Sequence, residues 1–282
     1  MEMNTPAFAG FRENFEPQKI LGMPDRPYRQ FKAVSKSGLD WIDVSPAHYK
    51  HVILDGNAPE PSPAMITGSA FDSLLLTPKE FDRDFIVAPN IRRGTKAWEE
   101  FELQAEGRRI IKQDDYDQLQ AMRDSVMKHA LARSLLSVGE AQVSYKWQDP
   151  TMGVLCKSRA DFVRADNVMI DLKTTGEGGA KADTFGRTAF NFRYHVQAAF
   201  YSDGAAAVGT RPDAFIFLVV ERDPPHPVAV FHIDEELIAL GRETYQRNLD
   251  TFAQCYAGNR WPAYPEEVQK LSLPKWAFTQ NA

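Results

Sequence analysis

Two consecutive β-prone segments that carry charged residues constrain the fold of this 282-residue chain most strongly. They comprise residues 156–163 and 168–175, and the polar residues between them predict a hairpin-like turn. Because successive side chains of a strand point to opposite faces, Asp171 and Lys173 should share one face while their apolar neighbours enter a core. The pattern therefore predicts charged groups at the rim of a buried sheet.

A metal site is the chemistry that these residues favour. The first segment carries a second acid, Asp161, with Arg159 on the same face. Magnesium prefers hard oxygen ligands and keeps several waters, so two carboxylates and a backbone carbonyl can hold it against a phosphate. A lysine beside such an ion can orient an attacking water and help to deprotonate it. Lys173 is the only lysine in the sequence with an acid two residues before it, although a surface ion pair remains the alternative interpretation.

Composition limits the classes of protein to consider. The net charge of −5 argues against a protein that coats nucleic acid, so any DNA contact should be confined to a groove or to a channel in an oligomer. Two distant cysteines, Cys156 and Cys255, exclude a disulfide framework and a four-cysteine iron–sulfur or zinc site within one chain. We expect a cytoplasmic protein without a signal peptide, because the N-terminus lacks an apolar segment and the longest apolar run, residues 214–220, cannot span a membrane.

The order of the predicted elements indicates a mixed α/β fold. Helices come first, then three strands, a helix and two strands, which predicts a mixed sheet with helical flanks. Residues 1–34, which are rich in proline, should form an irregular N-terminal arm. Residues 35–282 should form a single domain, with a mainly helical part (35–137), the catalytic sheet and helices (138–258) and a C-terminal extension (259–282) that includes Trp261 and Trp276.

Several local predictions bear on the site. Residues 39–54 should form two short helices, the second beginning after Ser45, and Asp234 should cap the final helix. A long helix over residues 114–136 should bury Leu131 on its apolar side. The glycine-rich loop 175–179 should be mobile and able to close over a substrate.

A further helix should place Gln197 and Tyr201 on one face, because the two residues are four apart. Together with Glu140, Arg159-x-Asp161 and Asp171-Leu-Lys173-Thr-Thr, this pair resembles the PD-(D/E)XK nuclease superfamily. Within that superfamily the chain is similar to the RecE type, exodeoxyribonuclease VIII, which phages and prophages carry. The likeness extends to the motifs Ser35-Lys-Ser-Gly-Leu-Asp, Gly68-Ser-Ala-Phe and Trp261-Pro262, and so covers most of the chain from about residue 35 onward.

The resemblance implies a magnesium-dependent exonuclease in which manganese can substitute. Relatives of this type digest linear double-stranded DNA from the 5′ ends without ATP and leave 3′ single strands for a RecT-like annealing protein. The resemblance also implies a homo-oligomeric ring in the cytoplasm of a bacterial host. The sequence contains no Gly-x-x-x-x-Gly-Lys-Ser/Thr loop, which agrees with a reaction that does not use ATP.

The resemblance also implies roles for single residues. Asp161 and Asp171 would bind the metal together with the Leu172 carbonyl, and Lys173 would serve the attacking water. Glu140 would feed the same acidic cluster, and Gln197 and Tyr201 would border the site. Many relatives have a metal-binding histidine at the position of Asp72, where a carboxylate can also hold magnesium.

Other interpretations of these residues stay open. Glu140 could cap a helix or face solvent, and Asp72 could bind backbone amides at a helix start. The candidate DNA contacts are Ser37, Arg92, Arg93, Lys96 and Arg159, although the run at 92–96 is also typical of a solvated face. The rival functions are an endonuclease or single-strand nuclease of the same superfamily, and a DNA-end-binding recombination scaffold whose nuclease site has decayed.

Overall fold

Six of the eight strands in the computed structural model, which describes residues 15–272, lie in one central sheet. The strands are β1 (Gln18–Ile20), β2 (Phe85–Ala88), β3 (Arg109–Lys112), β4 (Gly139–Gln148), β5 (Leu155–Arg164), β6 (Val168–Thr175), β7 (Ala214–Glu221) and β8 (Val228–His232). The α-helices are α1 (Asp25–Gln30), α2 (Lys36–Val44), α3 (Pro46–Tyr49), α4 (Pro63–Leu76), α5 (Pro78–Asp84), α6 (Lys96–Gln104), α7 (Gln113–Lys128), α8 (Ala130–Leu135), α9 (Ala182–Asn191), α10 (Tyr194–Ala207) and α11 (Glu235–Ala257). A π-helical segment, Lys50–Leu54, follows α3.

The central sheet has the strand order β1-β4-β5-β6-β7-β8. Neighbouring strands are antiparallel except β6 and β7, which are parallel and are joined by a crossover through α9 and α10. Parallel neighbours need such a crossover, because a tight turn can join only antiparallel strands. The predicted mixed α/β fold is confirmed.

Two helical layers cover the sheet, and the alternation of side chains along β6 sorts its residues between them. Met169 packs on the side of α10 and α11, whereas Ile170 and Leu172 pack on the side of α4 and α7. Helix α11 approaches α10 closely at Gly241, where a Cβ atom would lie 2.2 Å from the carbonyl oxygen of His195. The sheet is therefore buried on both faces, and a charged residue within it must find partners.

The caps explain where the helices near the site begin. Ser45 ends α2, where its backbone amide donates to the Trp41 carbonyl, and its side chain accepts a hydrogen bond from the His48 amide at 3.3 Å, which starts α3. Asp234 accepts one from the Leu237 amide at 2.9 Å at the start of α11. Both predicted helix starts are confirmed. Within residues 15–272, no helix combines the length and the apolar character that a membrane span requires.

Two local expectations were wrong, and one pair of strands was not predicted. The N-terminal segment is not irregular where it is described, because it contributes α1 and the edge strand β1, which are too short for their periodicity to appear in the sequence. The long helix over 114–136 is broken at His129, whose side chain accepts a hydrogen bond from the Ala132 amide, and this leaves Leu131 53% exposed. The parallel pair of β2 and β3 was missed. Trp276 lies outside the described residues.

Candidate active site

The sheet opens between β5 and β6, and this opening positions the predicted carboxylates. The two strands pair only at Phe162 with Ile170 and at Val163 with Met169. Beyond these pairs the Asp161 carboxylate takes the place of the missing strand bond and accepts a hydrogen bond from the Leu172 amide at 2.8 Å. Because the N–H and C=O of one strand residue point to the same side, the Leu172 carbonyl also faces this gap.

A local irregularity in β4 accompanies the opening. The register between β4 and β5 skips Gln142 and Asp161, although the pairs on either side of them are regular. Gln142 has a φ of +52°, a left-handed conformation that residues other than glycine seldom adopt. At this interruption the Asp161 carboxylate turns toward β6, where it accepts the bond from the Leu172 amide.

Asp171 lies beside Asp161 and is held by two partners. It is only 2% exposed. Gln197 of α10 donates a hydrogen bond from its side-chain amide to Oδ1, and the Lys173 ammonium forms an ion pair with Oδ2. The Lys173 Nζ also lies 4.5 Å from the centre of the Tyr194 ring, which offers its electron-rich face to the cation. The prediction that Asp171 and Lys173 share a face is confirmed.

The pKa shifts report how strongly these charges interact. Burial raises the pKa of Asp161 to about 7, and the negative charge of Asp171 contributes in the same direction. Burial alone would lower the pKa of Lys173, but the charges of Asp171 and Asp161 outweigh it and raise the value to about 12. Lys173 therefore keeps its positive charge at neutral pH and pairs with Asp171.

Asp72 belongs to the same electrostatic cluster although it comes from the opposite helical layer. It lies on α4, and burial raises its pKa well above the ordinary value. The negative charge of Asp161 raises that pKa further, while Lys173 lowers it. Asp72 from the α4 layer therefore interacts electrostatically, through the opening in the sheet, with groups that α10 contacts from the opposite layer.

Tyr201 interacts electrostatically with the cluster. Burial raises the pKa of its hydroxyl well above the ordinary value, and the charges of Tyr28, Asp171 and Asp161 add to this effect. Tyr194, which contacts Lys173, was missed by the sequence reasoning. It lies three residues before Gln197 and seven before Tyr201, so extending the predicted helix face by one turn would have found it.

Other predicted site residues lie elsewhere. Glu140 is exposed near the start of β4, opposite Val163, and the described residues include no contact between it and the acidic cluster. Arg92 and Arg93 precede α6 and Lys96 is its first residue, and the Arg93 guanidinium lies 5.1 Å from the centre of the Trp98 ring.

Arg159 is tied to the N-terminal segment. It donates to the Ser144 hydroxyl at 3.1 Å and to the Met23 carbonyl at 2.9 Å, and its guanidinium lies 4.1 Å from the centre of the Tyr28 ring. These contacts fix the segment on the sheet. Ser37, by contrast, lines a cleft next to Gln197 and Tyr201.

The loop after β6 is anchored, which corrects the expectation of a mobile lid. The buried carboxylate of Glu221 accepts hydrogen bonds from the amides of Gly178 and Ala180 at 2.8 and 3.0 Å. The Arg222 amide also donates to the Thr175 carbonyl at 2.8 Å. Because two strand ends hold it, this loop serves as a fixed border of the site.

The donor atoms suit a hard cation. Among residues 15–272, no three histidine, cysteine, aspartate or glutamate side chains are close enough to hold a metal as one group. Magnesium nevertheless binds commonly through one or two carboxylates, and water and phosphate oxygens complete its shell. The buried Oδ2 atom of Asp171 touches the Lys173 ammonium without accepting a hydrogen bond of good geometry. Asp161 and Asp171 therefore fit such an ion by their oxygen chemistry.

A mixed sheet that opens at two carboxylates and a lysine defines a domain of the PD-(D/E)XK class. The chain belongs to the family described as "PDDEXK-like domain of unknown function (DUF3799)", whose model matches residues 29–274. No curated protein matches the sequence.

The fold is shared with a solved structure from Eubacterium rectale that is named "putative exonuclease". The TM-score is 0.63 at 13% identity, over 93% of this chain and 100% of that chain. At this identity the likeness demonstrates the fold alone. A structure named SSO0001 is 16% identical over 62% of this chain and 84% of that chain, and its TM-score of 0.27 is too low to support an argument.

Proposed function

We propose that the protein is a magnesium-dependent deoxyribonuclease of the RecE type. It would digest linear double-stranded DNA in the 5′→3′ direction without ATP and leave 3′ single-stranded tails for recombination by strand annealing. The observation that carries this proposal is the cluster at the sheet opening, where Asp161, Asp171 and Lys173 act on one another. Membership in a PDDEXK-like family supports a nuclease.

The residues of the cluster would divide the work of phosphodiester hydrolysis. Asp161 and Asp171, with the Leu172 carbonyl, would hold Mg²⁺, for which Mn²⁺ should substitute. When bound, the cation supplies Lewis-acid stabilisation of the charge that develops on the attacked phosphate. Lys173 adds a positive charge beside Asp171 and orients the attacking water. Its raised pKa favours this role over that of a general base.

The surrounding residues would hold this arrangement in place. Gln197 fixes the Asp171 carboxylate through its hydrogen bond, and Tyr201 borders the cluster on the same helix. Asp72 is the further candidate ligand, because it interacts electrostatically with both carboxylates. The exposed position of Glu140 gives no support to a ligand role for that residue.

The finer parts of the proposal have separate support. The name of the Eubacterium rectale protein with the same fold favours exonuclease over endonuclease activity. The 5′→3′ polarity, the RecT-like annealing partner, the homo-oligomeric ring and the phage or prophage setting in a bacterial cytoplasm follow from the resemblance of the sequence motifs to the RecE type.

The reaction can be tested on one plasmid in two forms. The protein is incubated with linear and with covalently closed circular DNA, with and without Mg²⁺, and in the absence of ATP. We expect loss of the linear form only, and only with the metal. Cutting of circles would indicate an endonuclease, and binding without degradation would indicate a scaffold. Labels at the 5′ or the 3′ ends then report the polarity.

The role of Lys173 is tested by Lys173→Ala, with the exposed Lys128→Ala as the matched control. We expect the first variant to lose cleavage and to retain DNA binding, and the second to behave as the unmodified protein. Substantial turnover by Lys173→Ala would remove the lysine from the mechanism.

A further inference from the structure

A large cleft lies beside Gln197, the residue that binds Asp171. Gln197 and Tyr201 are among its lining residues, and its volume is about 1320 Å³. Pockets for small molecules usually measure roughly 300–1,000 Å³. The cleft therefore has room for a polymer of several units. A polymer bound there could contact Gln197, which binds Asp171.

One side of the cleft is positively charged. Five basic and two acidic residues line the cleft, whereas the whole chain has 33 basic and 38 acidic residues. Both acidic residues pair with lining lysines, Asp40 with Lys36 at 2.9 Å and Asp55 with Lys50 at 2.8 Å. The charge that remains comes from three residues, which we name the cationic wall: Arg29, Lys32 and Lys157.

The cationic wall is only partly neutralised by the chain itself. Arg29 shares the Asp25 carboxylate with Arg159, at 2.6 and 3.4 Å. Lys32 is exposed, and it has no ion-pair partner among residues 15–272. The Lys157 ammonium donates to three backbone carbonyls, of Tyr28, Arg29 and Phe31, at 2.9, 3.2 and 2.7 Å.

The cations around Lys157 add to the effect of its burial. Burial lowers the pKa of Lys157 to about 8, and the charges of the surrounding cations, Lys146, Lys32, Arg29 and Arg159, contribute in the same direction. A polyanion along this wall would relieve the mutual repulsion.

Apolar and aromatic residues line another part of the cleft. We name Val52, Ile53, Leu54 and Trp261 the apolar wall. Ile53 is 37% exposed, and the Trp261 ring is fixed by stacking on Tyr49 at 5.9 Å. Such a surface suits the faces of nucleotide bases, which stack on apolar and aromatic groups without regard to sequence.

We propose that this cleft binds a single strand of DNA, with the phosphates against the cationic wall and the bases against the apolar wall, and that it leads the strand to the acidic cluster. The inference rests on the proposed function and specifies the form in which the substrate reaches the site. A duplex presents phosphates on its outside and hides its base faces, so it would leave the apolar wall unused. Asp171 is only 2% exposed, so a phosphate must also leave the convex surface of a duplex to approach it.

Binding is measured in EDTA, so that cleavage does not interfere. A labelled single strand of about 12 nucleotides, the blunt duplex of the same sequence and an RNA of that sequence are compared by fluorescence anisotropy over a range of salt concentrations. We expect the single-stranded DNA to bind most tightly. Tighter binding of the duplex or of the RNA would overturn the proposal.

Two variants test the cationic wall and the apolar wall separately. Lys32→Ala should weaken binding and lower the slope of log K against log salt by about 0.7, the loss of one phosphate contact. Ile53→Ala should weaken binding by about threefold and leave the slope unchanged, because it removes an uncharged contact. Lys128→Ala, which changes an exposed lysine outside the cleft, should alter neither quantity.

The outcomes distinguish this inference from the proposed nuclease. If Lys32→Ala and Ile53→Ala bind single strands as the unmodified protein does, the cleft assignment fails even when DNA is cleaved. If the variants respond as expected but no DNA is degraded in Mg²⁺, the cleft assignment stands and the nuclease proposal fails.

Discussion

Asp161→Asn should make the metal-free protein more stable at neutral and alkaline pH, although it removes a residue of the candidate active site. The Asp161 carboxylate accepts a hydrogen bond from the Leu172 amide. An asparagine side chain keeps an oxygen for this bond but carries no charge, so it does not repel Asp171. The substitution therefore removes the cost of burying a negative charge while it keeps the local contact.

The magnitude follows from the pKa of Asp161. It rises from an ordinary value of 3.8 to about 7 in the folded chain, so folding favours the protonated form. Each pH unit between the two values is worth about 1.4 kcal/mol, which sets a ceiling of about 4 kcal/mol. The stability that the protonated form provides is fully present below about pH 4 and is lost as the pH rises toward about 7. Above about pH 7 the unfolding free energy of Asp161→Asn should therefore exceed that of the unmodified protein by the full amount.

Urea unfolding in EDTA at a series of pH values from about 5 to about 8 measures this difference. The gain in unfolding free energy of Asp161→Asn should increase with pH across this range. Asp82→Asn, at an exposed carboxylate, is the matched control and should give a small, constant difference. Equal or lower stability of Asp161→Asn at about pH 8, or a gain that is independent of pH, would refute the electrostatic reasoning.

The same two proteins also test whether Asp161 binds magnesium. If Asp161 is a ligand, the ion should raise the unfolding free energy of the unmodified protein more than that of Asp161→Asn, because binding to the folded state stabilises it. An identical response of both proteins would remove Asp161 from the ligand set. Activity is not needed for this measurement.

Three further changes test the supports of the site. Glu221→Ala should cost about 1–3 kcal/mol of unfolding free energy and speed hydrogen exchange in loop 175–179, because two backbone amides lose their acceptor; unchanged exchange would show that this carboxylate does not hold the loop. Gly241→Ala should cost about 1–3 kcal/mol in urea unfolding, since its Cβ would lie 2.2 Å from the His195 carbonyl oxygen; a neutral effect would mean that the two helices can move apart. Gln197→Leu should reduce turnover more than DNA affinity, because it frees the Asp171 side chain; an equal loss of both would argue for a binding role.

The position of the acidic cluster could be predicted largely from local sequence. The alternation along β6 is a property of any strand, and it placed Asp171 and Lys173 on one face. The spacing of Gln197 and Tyr201 is likewise a property of any helix. Glu140 shows the limit of this reasoning, because an acid near a strand start can point to solvent or to a site, and only the path of the neighbouring strand decides which.

Contacts between distant segments were beyond local sequence. Tyr28 and Lys36 line the cleft beside Gln197, although they are more than 150 residues away in the chain. The anchoring of loop 175–179 by Glu221 also depends on the parallel pairing of β6 with β7, which brings two strand ends together. A glycine-rich segment indicates freedom of the backbone, but it does not indicate whether a buried acceptor restrains it.

The sequence by itself determined the class of fold, the strands and helices that carry the chemistry and the residue types that suit a hard cation. These depend on periodicity and on side-chain chemistry, which act over a few residues. Only the tertiary structure decided that β5 and β6 diverge at Asp161, that Asp72 and Gln197 reach the same opening from opposite layers, and that a positively charged cleft lies beside Gln197. Burial and charge interactions depend on distance in space, and the chain order does not encode that distance directly.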